Sequence, residues 1–247
     1  MFQQRLDPGC VVFSVDVPDQ GVEGSQVREL FELFNSQQLP ATWATGLKHA
    51  RLVSSFARES GVSHEVAVLG DAAWLPGENS RRTFYRALVE RMRGLRDERA
   101  HVTTLALDRV DLFDHLDLLV KHRISMVRCD STTVGSDTQG LKLRSLRFGI
   151  WQAPPATRLT GQLNLGWWTA IKIRRAIRRC SRRGGILHLL LQADELFNRG
   201  MLEAILRCVA NRRQNDSLGC LTLQQLSRQV QMQPPRITSQ SLLKRAA

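Results

Sequence analysis

Short apolar runs alternate with longer amphipathic segments along most of the chain. The run at 10–16, Cys10-Val-Val-Phe-Ser-Val-Asp16, is typical of a strand buried in a parallel sheet. Similar runs recur at intervals that leave room for a helix between them. The pattern predicts strands at 10–16, 41–45, 65–69, 102–107, 124–129, 146–151, 186–191 and 219–222.

The segments between these runs carry apolar residues at three- and four-residue spacing, as helices packed on one face do. The first helix is predicted to begin at Ser25, a residue type that often caps helix N-termini, and to stop before Pro40. Residues 131–145 are polar without periodicity and are predicted to form a loop. Further helices are predicted at 48–59, 80–98, 111–122, 167–183, 198–212 and 223–230.

This strand–helix alternation continues without a break in composition, which predicts a single α/β domain over residues 1–230. A barrel-like parallel sheet is the expected architecture, and a doubly wound open sheet is the alternative. The polar and basic tail 231–247 is predicted to be disordered. No glycine-rich loop of the dinucleotide-binding or P-loop type occurs.

Basic residues outnumber acidic ones by 35 to 23, which gives a net charge of +12. Such an excess favours anionic partners, such as nucleic acid or a membrane surface, but it also fits a protein with solvated arginines. Seven basic residues fall between 172 and 183. No nucleic-acid-binding motif accompanies them, so we expect a solvated helix face and not a nucleic-acid partner.

The five cysteines are scattered and include no Cys-x-x-Cys pair, so reduced, buried thiols are expected. The N-terminus lacks an apolar signal region. No apolar run approaches the roughly 18 residues of a membrane span. These features predict a cytoplasmic protein without a membrane-spanning segment.

Acidic residues follow several of the predicted strands directly. Because chemistry gathers at the carboxyl ends of parallel strands, these acids are candidates for one shared site. Two alternatives are open for them: they cap the helices that follow, or they bind a hard cation. The acids are Asp16, Asp71, Asp108, Asp130 and Asp194.

Several stretches resemble, in order, the motifs of one enzyme family. They are Val12–Asp16, which resembles a Thr-Phe-Asp-Asp strand end, then 38–46, Ser63–Ala67, Leu107–Arg109, Trp151–Pro154 and 185–191. Together they resemble the polysaccharide deacetylases, the NodB-homology group of carbohydrate esterases, over roughly residues 10–230. The resemblance implies a distorted (β/α)7 barrel. It also implies a role in surface-polysaccharide metabolism, since these enzymes hydrolyse the N-acetyl amide bonds of amino sugars.

The resemblance assigns roles to individual positions. Asp16 matches the catalytic base, and Arg109 matches the arginine that pairs with that base. The family holds zinc or another divalent metal, but the matching ligand positions are Val17, Leu69 and Ala73, which cannot coordinate a metal. We therefore expect no metal cofactor, and a metal-dependent activity that is lost or altered.

The remaining site residues are expected to bind the substrate and to take no part in a chemical step. Gln192 takes the place of the acid histidine and has no proton to transfer, although it can hydrogen-bond a sugar. Asp71, Asp130 and Trp74 complete the expected substrate-binding set. Two histidines near the motifs, His64 and His188, are expected to be structural.

Three functions remain open on this basis. The first is a pseudoenzyme that binds a polysaccharide, an amino-sugar glycan or a polysaccharide-biosynthesis protein. The second is a working amidohydrolase with a rearranged site around Asp16 and Arg109. The third is a binder of anionic polymers through the basic helix at 172–183.

Overall fold

The computed structural model describes residues 8–75, 80–107, 112–129, 143–153, 157–159, 166–194 and 199–232. Within these ranges ten strands form one sheet. The strands are β1 Cys10–Val17, β2 Thr42–Thr45, β3 Glu65–Leu69, β4 Thr104–Leu107, β5 Met126–Cys129, β6 Arg144–Ser145, β7 Trp151–Gln152, β8 Thr157–Arg158, β9 Ile186–Gln192 and β10 Gly219–Leu221.

Six of the described α-helices lie between these strands in the chain, and the seventh follows β10. They are α1 Gly24–Ser36, α2 Ala50–Glu59, α3 Ser80–Asp97, α4 Leu116–Lys121, α5 Gly166–Arg183, α6 Arg199–Gln214 and α7 Leu223–Met232. None of them combines the length and the apolar character needed to cross a bilayer.

The sheet is parallel except at the β6–β7 pair, and its order is β6-β7-β5-β4-β3-β2-β1-β9-β8. Strand β1 pairs with β9 along one edge. Its other edge is shared, because residues 10–12 pair with β10 and residues 14–17 pair with β2. The sheet curls into a half-barrel, and this confirms the expected distorted (β/α) barrel.

The two faces of β1 have different surroundings because successive side chains on a strand point to opposite sides. Phe13, Val15 and Val17 join the large apolar cluster formed with the helices. Ser14 and Asp16 have the opposite phase and lie inside the half-barrel, where both are buried. The inner face of the sheet is therefore partly polar.

Aromatic side chains fix α1 onto β1 and β2. Phe31 stacks on Trp43 with ring centroids 3.6 Å apart, and Phe34 meets Phe13 edge to face at 5.3 Å. Because Trp43 is fully buried in this contact, it is part of the core and offers no face to a sugar.

Four local predictions need correction. Helix α1 begins one residue before Ser25, and its N-cap is Glu23, whose N–H donates to Gln26 Oε1 at 2.7 Å.

Residues 146–151 are not one strand, because Arg147–Gly149 form a 3₁₀ turn in which Phe148 has φ 61°. The helix predicted at 111–122 is shorter, because a 3₁₀ turn at Phe113–His115 precedes α4. Helix α7 continues to Met232; the rest of the tail lies outside the described residues, so its disorder stays a prediction.

Cys10, Cys180, Cys208 and Cys220 are free thiols. Burial raises the pKa of Cys180 to about 11 and that of Cys220 to about 12. These thiols stay protonated near neutral pH and act as small apolar side chains.

Candidate functional site

Asp16 and Arg128 form a two-pronged ion pair inside the half-barrel. Arg128 Nη1 donates to Asp16 Oδ1 at 2.7 Å, and Nη2 donates to Oδ2 at 2.6 Å. The two side chains are 4% and 1% exposed, so the pair is shielded from water. Two parallel N–H···O bonds between opposite charges make the strongest common arrangement of a guanidinium and a carboxylate.

Small side chains make room for this contact. Ala44, Ala67 and Ala106 lie together on the inner face of β2, β3 and β4, the strands between β1 and β5. Arg128 starts on β5 beside Ala106 and crosses the space above these alanines to reach β1. The three methyl groups leave this part of the inner face less filled than larger side chains would.

Gln192 is the direct neighbour of Asp16 in the sheet. It ends β9 and pairs in register with Asp16, so both side chains lie at the carboxyl end of the half-barrel, which we call the mouth. Gln192 is half-buried and Asp16 is buried. Their roles in substrate binding and catalysis stay predictions.

A second acid, Asp19, orders the loop just beyond β1. Its Oδ1 accepts from the Lys48 N–H at 2.8 Å, and its Oδ2 accepts from Arg91 Nη1 at 2.5 Å. Gly46 lies against this carboxylate, since a Cβ added there would stand 2.1 Å from Asp19 Oδ1. Sequence analysis did not single out Asp19, although it sits only three residues after Asp16.

The positions that hold the family's metal offer no metal-binding atoms. Val17 packs among apolar side chains on the helix side of β1, Leu69 packs with the inner alanines, and Ala73 is exposed. Within the described ranges, no three His, Cys, Asp or Glu side chains are grouped so that they could hold a metal ion. The side chains described at these three positions do not fit the divalent cation that the fold implies.

Below the mouth the polar interior continues along β1. Ser14 Oγ and His188 Nε2 are 2.7 Å apart, and both residues are fully buried. Further down, Glu65 Oε2 accepts from Thr42 Oγ1 and from the Gln224 N–H, each at 2.8 Å. Burial raises the pKa of Glu65. These contacts join the strands to each other and to the start of α7.

His64 has a structural role. Its Nδ1 accepts from the Ala41 N–H and from Trp43 Nε1, each at 3.2 Å, while its Nε2 meets Asn35 Oδ1 at 2.8 Å. Burial lowers its pKa to about 4, so the ring is neutral at pH 7. It joins α1, β2 and the start of β3 and lies away from the mouth.

Trp74 does not offer the stacking surface expected from the sequence. It is 7% exposed and packs edge to face against Phe84 at 6.1 Å, as part of the apolar core. Asp71 is exposed beside it, and its Oδ1 accepts from the Ala73 N–H at 2.9 Å. Asp71 therefore remains a candidate contact at the mouth, whereas Trp74 does not.

Arg109, Asp108 and Asp130 lie outside the described residues, so their roles stay predictions. The arginine that the structure places on Asp16 is Arg128, which sequence analysis missed. One signal could have found it: a charged residue in the middle of an apolar strand needs a partner when it is buried.

No protein-family model matches the chain. No curated protein matches it either. Solved structures do: a protein from Pseudomonas aeruginosa PAO1 described as a polysaccharide deacetylase is 12% identical, with a TM-score of 0.70 and 93% of each chain covered. The Puue allantoinase is 10% identical, with a TM-score of 0.69, and 93% of this chain and 92% of that chain are covered.

A third structure is a mutant of a carbohydrate esterase family 4 pseudoenzyme with restored enzymatic activity. It is 12% identical, with a TM-score of 0.52, and the alignment covers 90% of this chain and 68% of the other. At such identities the matches establish the fold alone. This chain therefore has the fold of the polysaccharide deacetylases, with an arginine–aspartate pair at its mouth.

Proposed function

We propose that this chain is a polysaccharide deacetylase-like protein of surface-polysaccharide metabolism that binds an amino-sugar glycan at the mouth without hydrolysing it by the metal-dependent route. The half-barrel fold supports the assignment to deacetylase-like proteins. The side chains at the mouth support the loss of metal-dependent hydrolysis. Asp16, Gln192 and Asp71 are the side chains proposed to contact the glycan or to shape its site.

The observation that carries this proposal is the state of Asp16. A general base takes a proton from water or from the substrate, so it needs an oxygen within reach of that proton. Both oxygens of Asp16 accept from Arg128 in a buried pair. A carboxylate held in this way is a poor base, since taking up a proton would break a charge-assisted bond.

The surrounding positions support the same conclusion. Deacetylation by the family's route needs a metal to activate water and to polarise the amide carbonyl. Val17 packs in the apolar core on the helix side of β1 and has no atom that could bind a metal. Gln192 has a neutral amide where the reaction needs a proton donor.

The first experiment measures acetate released from chitin oligomers by the purified protein, with a chelator and then with added zinc, cobalt or manganese. We expect no acetate above the protein-free control under any condition. Acetate release that depends on added metal and disappears with the chelator would overturn the proposed loss of hydrolysis.

The second experiment measures binding of N-acetylglucosamine oligomers by calorimetry. Gln192→Ala is expected to weaken binding about tenfold or more, because it removes a hydrogen-bonding amide from the mouth. The matched control is Gln214→Ala, at the far end of α6. Equal affinities of the two variants, or no binding of any oligomer to the wild type, would contradict a glycan site at the mouth.

A rearranged hydrolase is the alternative. One protein with this fold is an allantoinase, so a sugar is not the only amide-bearing substrate to consider. Allantoin should therefore be included in the hydrolysis assays. Turnover of allantoin that Asp16→Asn abolishes would favour this alternative over a binding protein.

A further inference from the structure

Helix α5 presents a strongly basic face that the mouth does not use. All seven basic residues between 172 and 183 are exposed, and the helix contains no acidic residue. Ile173, Ile177 and Cys180 form its buried stripe. We call the exposed half of the helix, opposite that stripe, the α5 basic face.

The arginines at the centre of this face are not neutralised by neighbouring acids. With 3.6 residues per turn, Arg175, Arg178 and Arg182 lie opposite the buried stripe. Within the described part of the chain these three arginines form no ion pair. Their charges therefore add to a field directed at solvent.

Helix α3, which is also rich in arginine, shows the contrast. Its Arg81 pairs with Asp117, and its Arg91 pairs with Asp19. It also carries Glu90 and Asp97 among its basic residues. The positive charge on α3 is therefore partly balanced, whereas that on α5 is concentrated.

We propose that the α5 basic face docks the protein onto an anionic lipid surface. The face carries the charge that acidic headgroups attract, and arginine forms two-pronged bonds to phosphate. This inference concerns a different surface from the mouth and stands whether or not the mouth binds a glycan.

The surroundings of α5 favour a broad, flat partner over a nucleic-acid duplex. Helix α6 packs alongside α5, and Arg212 Nη1 donates to Ser181 Oγ at 3.1 Å across their contact. A helix flanked in this way presents its charges along one exposed side, which a lipid surface can contact together. In the sequence the basic run follows Trp167-Trp168, and tryptophan is a residue type enriched at membrane–water interfaces.

The test is co-sedimentation of the full chain with lipid vesicles. The vesicles consist of phosphatidylcholine alone or with about 30% phosphatidylglycerol, which gives them a negative surface potential. We expect binding only to the anionic vesicles, and weaker binding as salt rises above about 0.15 M.

Two triple variants locate the binding surface. The first, Arg175→Glu, Arg178→Glu and Arg182→Glu, reverses the centre of the α5 basic face. The second, Arg82→Glu, Arg86→Glu and Arg93→Glu, reverses three exposed arginines on one face of α3. Each replacement changes the charge by two, so both variants fall from a net +12 to +6.

The α5 variant should lose roughly 100-fold in affinity for anionic vesicles, and the α3 variant should stay within a few-fold of the wild type. Circular dichroism and thermal melting check that both variants fold. Equal losses in the two variants, equal binding to neutral vesicles, or tighter binding to a short DNA duplex than to anionic vesicles at equal salt would overturn the inference.

Discussion

Arg128 and Asp16 meet across the inside of the half-barrel although 112 residues separate them in the chain. Their contact gives Asp16 the arginine partner that the resemblance to the deacetylases implies, although Arg109 was the residue expected to supply it. A buried ion pair of this kind forms only when both partners are present and their hydrogen bonds are well directed. The pair is therefore expected to contribute to the stability of the fold as well as to shape the site.

Removing one partner of this pair should be costly. Arg128→Met removes the guanidinium that bonds both oxygens of the buried Asp16, and Asp16→Val removes the carboxylate that accepts from Arg128. Each single variant should lose about 3–5 kcal/mol of unfolding free energy. The double variant should lose less than the sum, because the contact between the two side chains can be lost only once. Urea unfolding of all four proteins measures this coupling.

The matched control is the exposed pair Arg81–Asp117, whose side chains are 54% and 56% exposed. Arg81→Met and Asp117→Val should change stability little, because water solvates whichever charge remains. If the two pairs proved equally sensitive, or if the losses at Asp16 and Arg128 simply added, the buried pair would not have the role described here.

His64 should make stability fall in mild acid. Burial lowers its pKa from the ordinary 6.5 to about 4, so between these values the unfolded chain takes up a proton that the folded protein refuses. Its contribution is complete above pH 6.5 and is lost as the pH falls towards 4, by up to about 3 kcal/mol.

His64→Gln removes this titration. The unfolding free energies of wild type and variant, compared at pH 7 and pH 5, should converge as the pH falls. His101→Gln, at an exposed position, is the control. A difference between wild type and His64→Gln that did not change with pH would contradict the prediction.

Glu65 should have the opposite dependence. Burial is the main cause of its raised pKa, which the hydrogen bonds from the Gln224 N–H and from Thr42 lower in part. The folded state therefore holds this proton more tightly than the unfolded chain, and the resulting stability is lost as the pH rises from 4.5 through the folded pKa.

Glu65→Gln keeps an acceptor for Thr42 and for the Gln224 N–H but cannot ionise. Relative to wild type, the variant should gain stability as the pH is raised from 4.5 towards 8. Glu59→Gln, at an exposed site on α2, serves as the reference. If the stability of Glu65→Gln relative to wild type fell with rising pH, the predicted direction of the pH dependence would be wrong.

Gly46 should tolerate no side chain. A Cβ there would stand 2.1 Å from Asp19 Oδ1, and Asp19 is held by Lys48 and Arg91. Gly46→Ala should cost about 1–3 kcal/mol, since Asp19 has to give up these bonds. Gly61→Ala, which meets nothing within 4 Å, should be neutral or slightly stabilising. Thermal melting of the two glycine variants measures the difference in their stability. The double variant Gly46→Ala, Asp19→Ala should be less destabilised than the separate losses predict, because the clashing carboxylate is gone.

The element pattern and the class of fold could be predicted from the sequence. Apolar runs such as 10–16, and the regularly spaced apolar residues of α3, indicate buried faces directly. A strand or helix that packs against a core must present apolar side chains to it. The exceptions were local: Phe148 adopts a left-handed φ that periodicity does not reveal, and a capping box at Glu23 replaced the expected cap at Ser25.

Part of the candidate site could likewise be predicted from the sequence, and part could not. Asp16 and Gln192 are strand-end residues, so parallel pairing was enough to bring them together. Whether Trp74 faced a ligand or the core depended on its contact with Phe84, which no local pattern encodes.

The sequence by itself determined that this chain folds as a curled parallel sheet and that Val17, Leu69 and Ala73 cannot bind a cation, because side-chain chemistry and strand spacing are local properties. Only the tertiary structure decided that Arg128 neutralises Asp16 and that Val17 turns towards the helices. Those outcomes depend on sheet order, on strand phase and on the space left by three alanines, all of which arise when distant segments pack together.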